Sequence, residues 1–372
     1  MKVVVAPDSF KGSLSAARAG GIVRAALRAA RPGLDVVVCP MADGGEGTAE
    51  ALMAARGGTW IACRVAGPLP DQRVEAGYAW MESAREAVVE MAAASGLTLV
   101  PPGEQDPLKT TTYGTGELMA AAFGRGARRL LLAVGGSATV DGGVGAVTAL
   151  GWQFLDDRGK PVGPGGGELE RIRTIHPPAA WLPPPVDVLC DVTNPLLGPE
   201  GAARVFGPQK GATPGMVEQL EAGLANLARR GREQVGVEIS TRPGGGAAGG
   251  LAAGAAAFLG ARLVSGTRAV IEATGLAEAL AGADWVITGE GRLDETSLRG
   301  KVVSGVIEVA RRAGARVAVL AGRVGLSPEA CRGARIERVE SCAPAEMLTP
   351  EALARAEELL RTAAGRLAGQ LD

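Results

Sequence analysis

Apolar positions along the chain follow two different periods. Residues 3–6 and 36–39 are short, continuous apolar runs. Each is followed by a polar, glycine-bearing segment and then by apolar residues at helical spacing. The spacing predicts helices over residues 14–30 and from the loop after residue 39 to about residue 55. Strand, glycine loop, helix, strand is the grammar of a parallel βαβ unit. The same grammar returns late: residues 285–288 predict a strand, 289–300 a loop, 302–312 a helix, and 316–320 and 336–339 two more strands. An amphipathic helix over 348–371 closes the chain.

The middle of the chain reads differently. Residues 60–65, 73–81 and 87–91 alternate and lie close together, which predicts antiparallel strands. A Thr/Gly loop, a helix (116–123), a strand (130–134), a second Gly-rich loop and a further helix follow. Residues 161–185 are a Pro/Gly-rich excursion. Residues 186–190 predict another strand, and 216–230 and 247–259 two helices. The simplest assembly is α/β: a discontinuous parallel-sheet domain formed by residues 1–65 and 275–372, with a second α/β domain, residues 66–274, inserted between its halves.

Composition narrows the function classes. The chain has 372 residues, 47% hydrophobic and 21% charged, with a formal net charge of -1. That is a globular composition, and its lack of basic excess argues against a nucleic-acid partner. The apolar run after Lys2 meets Asp8 too soon for a signal peptide, and no stretch predicts a membrane span, so a cytoplasmic protein is expected. The five cysteines, Cys39, Cys63, Cys190, Cys331 and Cys342, form no C-x-x-C pair and predict buried free thiols rather than a disulfide framework or a zinc site. Nothing in the sequence sets the oligomeric state; a homodimer is one open assembly.

Histidine is nearly absent. His176 is the only one, followed by two prolines, so a carboxylate or lysine is the expected acid–base group. Lysine is scarce beside arginine: Lys2, Lys11, Lys109, Lys160, Lys210 and Lys301 complete the set. Four of them, Lys11, Lys109, Lys210 and Lys301, sit in Gly-, Ser- or Thr-rich segments, where a compact ammonium does what a guanidinium fork cannot. Heat adaptation and a GC-rich genome would both produce such a bias.

Acidic residues and Gly/Ser/Thr clusters recur just past predicted strands: Asp8-Ser9, Asp43-Gly44-Gly45-Glu46-Gly47, the run from Gly135 and Gly136 through Ser137 to Asp141, Asp191 to Asn194, and Glu290 to Asp294. Ligands bind beyond the carboxyl ends of parallel strands, and glycines let backbone N–H groups approach an anion. Tight turns and helix caps are the competing explanation for each loop taken alone. Thr110 to Gly116, with Thr111, Gly114 and Thr115, suits a small polar or anionic ligand about as well as a capped helix. No Walker A box is present. Gly244-x-Gly246-x-x-Gly249 formally matches a dinucleotide fingerprint but follows Arg242-Pro243 rather than a clear strand, so a nicotinamide enzyme is the weakest reading. Phosphoryl transfer asks for a phosphate cradle, positive charge, a carboxylate-held metal and a base, and this chain offers all of them without histidine.

These loops together resemble the glycerate kinase family of the bacterial two-domain type. The resemblance rests on Ala6-Pro-Asp-Ser-Phe-Lys-Gly-Ser-Leu, Met41-Ala-Asp-Gly-Gly-Glu-Gly-Thr, Thr112-Tyr-Gly-Thr-Gly-Glu, Gly135-Gly-Ser-Ala-Thr-Val-Asp-Gly-Gly, Cys190-Asp-Val-Thr-Asn-Pro-Leu, Phe206-Gly-Pro-Gln-Lys-Gly, Pro243-Gly-Gly-Gly-Ala-Ala-Gly-Gly and Thr288-Gly-Glu-Gly-Arg-Leu-Asp-x-Thr-Ser with Gly300-Lys301. It runs nearly end to end with no motif broken. It implies a discontinuous Rossmann-like domain with an inserted flavodoxin-like domain, ATP and Mg²⁺, and D-glycerate as acceptor in a cleft between the domains. The usual product is 2-phosphoglycerate, with 3-phosphoglycerate attributed to some relatives.

Fitted to that family, Asp191 is expected to orient or deprotonate the acceptor hydroxyl, with Asp8 competing. Lys11 and Lys301 would stabilise the transferring phosphoryl group. Ser9, Asp43 to Glu46, Thr111, Gly114, Thr115, Gly136, Ser137, Asp141 and Asn194 would bind phosphates or the substrate. Glu290 and Asp294 are candidates for metal or nucleotide contacts, and with Thr296 for binding phosphate or substrate. A kinase for another hydroxy acid, or a non-catalytic anion-binding protein, would use the same loops.

Overall fold

The computed structural model describes residues 1–179 and 182–372. The chain opens with strand β1 (Lys2–Pro7), helix α1 (Ala16–Ala30), β2 (Asp35–Val38) and α2 (Thr48–Arg56). It continues through β3 (Thr59–Ala66), β4 (Arg73–Met81), β5 (Glu86–Glu90), α3 (Tyr113–Gly124), β6 (Arg129–Ala133), α4 (Val144–Ala149), β7 (Gln153–Leu155), β8 (Thr174–His176) and β9 (Val186–Leu189). Then come α5 (Pro214–Val235), α6 (Leu251–Leu259), β10 (Arg262–Val264), β11 (Trp285–Leu293), α7 (Val302–Ala313), β12 (Arg316–Val324), β13 (Arg338–Ser341) and α8 (Ala356–Ala368).

Two compact units result. The first comprises residues 1–43, 50–57 and 267–372, and the second residues 44–49 and 58–266. The first holds a five-stranded sheet of order β13-β12-β11-β1-β2, parallel throughout. Its connections run outward in opposite directions from the central pair, so β1 and β11 flank a topological switch point, where open α/β sheets bind ligands. α1 starts cleanly because Ser15 accepts from the Arg18 N–H as its cap. Its apolar face, Ala19, Ile22, Val23 and Leu27, is buried with Val3, Val5, Trp285, Ile287 and the Leu360, Ala363 and Leu367 stripe of α8. Burying each large aliphatic side chain stabilises by about 1.5–3 kcal/mol.

The second unit carries a six-stranded sheet, β10-β9-β6-β5-β4-β3. The antiparallel pairing expected early in the chain joins β3 to β4 and β4 to β5, and the remaining pairs are parallel. β3 is a strand of this sheet, whereas the sequence reading put residues 60–65 with the first domain. Its whole length is hydrogen-bonded to β4.

Other elements depart from expectation for identifiable reasons. β11 runs on to Leu293 instead of stopping at Thr288, because its ladder with β12 continues through Arg292 and Leu293. Gly289 and Gly322 allow that approach, since a Cβ at either would overlap a backbone carbonyl of the other strand. The helix expected from residue 247 begins at Leu251. Ala248, Gly249 and Gly250 have φ of 54°, 63° and 93°, a left-handed turn in which the Gly249 carbonyl accepts from the Gly142 N–H at 3.0 Å. Among the described residues no strand leads directly into that glycine run. The closing helix is broken at Arg355 into Thr349–Ala354 and α8. The five cysteines are unpaired; Cys39, Cys331 and Cys342 are buried and the others half-buried. His176 ends β8, exposed. Among the described residues no helix is long and apolar enough to cross a membrane.

Candidate functional site

In the first unit, a cavity of about 410 Å³ opens at the switch point beside β1 and β11. It brings together Asp8, Ser9, Lys11, Asp43, Glu290, Asp294, Thr296 and Lys301, eight residues the loops had nominated separately. Arg292 and Arg323 add positive charge to its wall. Phe10, Leu353, Leu359 and Leu360 form an apolar side. A volume of this order suits a small-molecule ligand.

Asp8 sits at the carboxyl end of β1, 7% exposed, with its N–H bonded to the Gly289 carbonyl at 2.8 Å. Burial, then the Asp43 carboxylate, push its carboxyl up to about 7. The Ser9 N–H, which donates to Asp8 Oδ1 at 2.7 Å, and Lys11 oppose that rise. A carboxyl that titrates near neutrality inside a cavity is poised for proton transfer. Lys11 reaches Asp43 Oδ2 at 3.8 Å while staying largely exposed.

Glu290 lies on β11, within the strand rather than on a loop beyond it. Burial pushes its carboxyl up, against the hydroxyl of Ser297 and the charge of Lys301. Its Oε1 is buried with no hydrogen-bond partner among the described residues. An orphaned buried carboxylate oxygen costs free energy unless a cation or donor arrives.

Asp294 caps a short 3-10 turn, Glu295–Leu298. Its Oδ1 accepts from the Thr296 N–H at 2.9 Å and the Thr296 hydroxyl at 2.7 Å, while Ser297 Oγ accepts from the Asp294 N–H at 3.0 Å. This is a reciprocal capping box. The Thr296 hydroxyl, first among the causes, holds Asp294 below the usual carboxylate range. Lys301 Nζ donates to Thr296 Oγ1 at 3.1 Å, at the start of α7. The helix N-terminus adds partial positive charge beside the ammonium. No group of three or more His, Cys, Asp or Glu side chains arranged to hold a metal exists among the described residues.

The other nominated residues lie in the second unit and do not line this cavity. Two glycine loops meet there. Gly44 has φ of 85° and lies against Leu189 at the end of β9, where a Cβ would sit 2.9 Å from the Leu189 carbonyl oxygen. A Cβ on Gly135 would come 2.6 Å from the Gly45 Cα, and one on Gly136 3.2 Å from Glu46 Oε1. Residues 44–46 and 135–137 therefore pack against each other at a distance only glycine permits. Ser137, half-buried, accepts a hydrogen bond from Lys210 Nζ at 2.7 Å.

Asp141 is fully enclosed and accepts from four donors: the Thr112 N–H and hydroxyl, both at 2.8 Å, the Gly143 N–H at 3.0 Å and the Gly145 N–H at 3.3 Å. Its carboxylate organises the loop and the start of α3 from within. Thr111 Oγ1 accepts from the Tyr113 N–H at 3.2 Å, and Thr115 shares a 2.8 Å hydrogen bond with Ser95. Gly114 has no room for a Cβ beside the Ala66 carbonyl. Asp191, half-buried past the end of β9, accepts from the Ser265 hydroxyl at 2.7 Å, and Asn194 Nδ2 donates to the Glu200 carbonyl at 2.9 Å.

Sequence reasoning gave no role to Lys210, Arg292 or Arg323. The scarcity of lysine and the Phe206-Gly-Pro-Gln-Lys-Gly motif were the signals available for Lys210.

Comparison with known proteins finds relatives along nearly the whole chain. A glycerate kinase of Halalkalibacterium halodurans is 42% identical over 371 residues, 98% of this chain and 97% of that protein. A glycerate 2-kinase of Escherichia coli K12 is 45% identical over 317 residues, 84% of this chain and 82% of that protein. A crystal structure described as a glycerate kinase 2 of Salmonella typhimurium LT2 superposes with a TM-score of 0.86 at 42% identity, covering 100% of this chain and 98% of that one. The sequence profile of the glycerate kinase family matches residues 3–372. With its mixed α/β architecture shared and the match unbroken from the first strand to the last residue, the chain belongs to the glycerate kinase family.

Proposed function

We propose that this enzyme transfers the γ-phosphoryl group of ATP to a hydroxyl of D-glycerate, giving 2-phosphoglycerate and ADP. The observation that carries the reading is the cavity at the switch point, where a neutral-range carboxyl and two lysines share one wall. Family membership supplies the reaction class.

In this reading the acceptor hydroxyl oxygen attacks the γ-phosphorus as the bond to the β-phosphate oxygen breaks, and the hydroxyl proton passes to a carboxylate. Asp8 is favoured for that proton by its burial and raised affinity, with Asp191 the competing group. Lys11 and Lys301 offset the charge on the phosphoryl oxygens. The apolar side around Phe10 and Leu360 suits the nucleotide's base.

The donor set fits Mg²⁺, which takes one or two protein carboxylates and completes its shell with water and phosphate oxygens. Glu290, with its unpartnered buried oxygen, would hold it, helped by Asp294. Bound there, the ion would neutralise phosphate charge. Five unpaired thiols support a reducing, cytoplasmic setting.

The test is ³¹P NMR of purified protein with Mg-ATP and D-glycerate. A 2-phosphoglycerate signal is expected. A 3-phosphoglycerate signal would revise the acceptor position, and no transfer by folded protein would reject glycerate.

A further inference from the structure

Lys210 has a setting unlike the chain's other lysines. It closes the 3-10 turn Pro208–Lys210 and is 2% exposed. The following Gly211, with φ of 94°, packs its Cα against the Gln105 carbonyl and fixes where the turn lies. Nζ donates to the Thr139 carbonyl and to Ser137 Oγ, both at 2.7 Å. Both acceptors belong to the glycine loop after β6. Burial pushes the ammonium down to about 7, against the opposing pull of the Asp141 carboxylate. A buried lysine with no carboxylate in its hydrogen-bond shell costs stability.

The geometry constrains one hydrogen atom. Because Ser137 Oγ accepts from Lys210, the serine's own proton points away from the lysine. Ser137 Oγ has no other partner among the described residues, and the neighbouring Gly136 is exposed. With Lys210 protonated, the half-buried hydroxyl keeps its own proton for a ligand, and the ammonium behind it strengthens that donation. The ligand it recognises must accept a hydrogen bond. Glu46, whose carboxylate lies near Gly136, disfavours a dianion there more than a monoanion. A carboxylate fits that balance better than a phosphate.

We infer that Lys210 is a positioning residue for the acceptor substrate, fixing Ser137 so that its hydroxyl donates to the carboxylate of the hydroxy acid. The inference rests on the glycerate reading and narrows it to one contact.

Steady-state kinetics of Ser137→Ala, Lys210→Met and the double variant test it, each with D-glycerate and with its uncharged amide as acceptor. The KM for glycerate should rise about tenfold or more in each single variant, with kcat and the KM for ATP within about threefold. The double variant should be no worse than the weaker single, since both act through one hydroxyl. The preference of the wild type for glycerate over the amide should shrink in parallel.

Ser137→Ala keeps the Lys210 bond to Thr139, so if Lys210→Met does not fold, Ser137→Ala decides. An unchanged KM for glycerate in folded Ser137→Ala, while the wild type transfers phosphate normally, overturns the inference alone. A loss confined to kcat or to ATP binding does the same. No transfer to glycerate by the wild type overturns the kinase reading, and this inference with it.

Discussion

Thr112 binds Asp141 twice: its backbone N–H and its hydroxyl both donate to Oδ2 at 2.8 Å. Burial pushes the Asp141 carboxyl up, and these two bonds with those from Gly143 and Gly145 counter it. An amide in place of the carboxylate would set its NH₂ group against at least one of the four donors. Asp141→Asn should therefore lower stability by about 2–4 kcal/mol in urea unfolding. Thr112→Val, which removes one donor and leaves three, should cost about 1–2 kcal/mol.

Asp8 predicts a pH dependence of rate. A base must lose its proton to act, so kcat/KM for glycerate should rise with pH through a limb near 7. Asp8→Asn should erase that limb and lower kcat by about 10²–10⁴-fold. A limb that survives in Asp8→Asn would take the role of base away from Asp8.

The same carboxyl predicts a pH dependence of stability. Its folded affinity for protons, near 7, exceeds the ordinary carboxylate value of 3.8, so the folded state binds more protons between those values. Stability should therefore fall as pH rises through that window. Urea midpoints at pH 5 and pH 8 should converge in Asp8→Asn relative to the wild type.

Lys301 should matter to chemistry rather than to folding. It is half-buried, its Nζ donates to the Thr296 hydroxyl, and it heads α7. Lys301→Met should reduce kcat about 10²–10³-fold with little change in melting temperature. A drop in melting temperature without a loss of kcat would make it a structural residue.

Asp187 is a purely structural charge. It is wholly buried on β9 and is held by Arg129 on β6, at 2.6 and 2.9 Å, and by Arg262 on β10, at 2.8 and 3.0 Å. Burial pushes its carboxyl up, but the hydrogen bonds from Arg262 and Arg129 outweigh it and leave it below the usual range. Its contribution is present above the ordinary carboxylate value and is lost as acid protonates it. Asp187→Ala should destabilise by about 1–3 kcal/mol at neutral pH, because Arg262 loses its carboxylate while Arg129 keeps only Glu86.

Legibility varied by element for physical reasons. The first and last βαβ units were readable because parallel strands covered on both faces are continuous apolar runs, as at Val3 and Val317. The extension of β11 past Thr288 was not, because Gly289 and Gly291 carry no strand signal and only pairing with β12 holds them extended. The left-handed turn at Ala248 was hidden for the opposite reason: an Ala-rich run reads as helix until a neighbouring loop captures it. Gly114 read as a phosphate-loop glycine and sits where a Cβ would strike Ala66.

By itself the sequence determined the α/β class, the loops that carry the chemistry and the family, because strand periodicity, glycine placement and long ordered motifs are local properties of the chain. Only the tertiary structure decided what each charged group can do. Asp8, Asp43 and Asp141 are the same residue type in similar local sequence. One is isolated in a cavity near a like charge, one faces Lys11, and one is enclosed by four donors. The sequence marked Lys210 as one of a few lysines in glycine-rich segments, but only the fold showed it buried behind Ser137. Proton affinity depends on burial and on neighbours brought from distant positions, and no local pattern of residues records either.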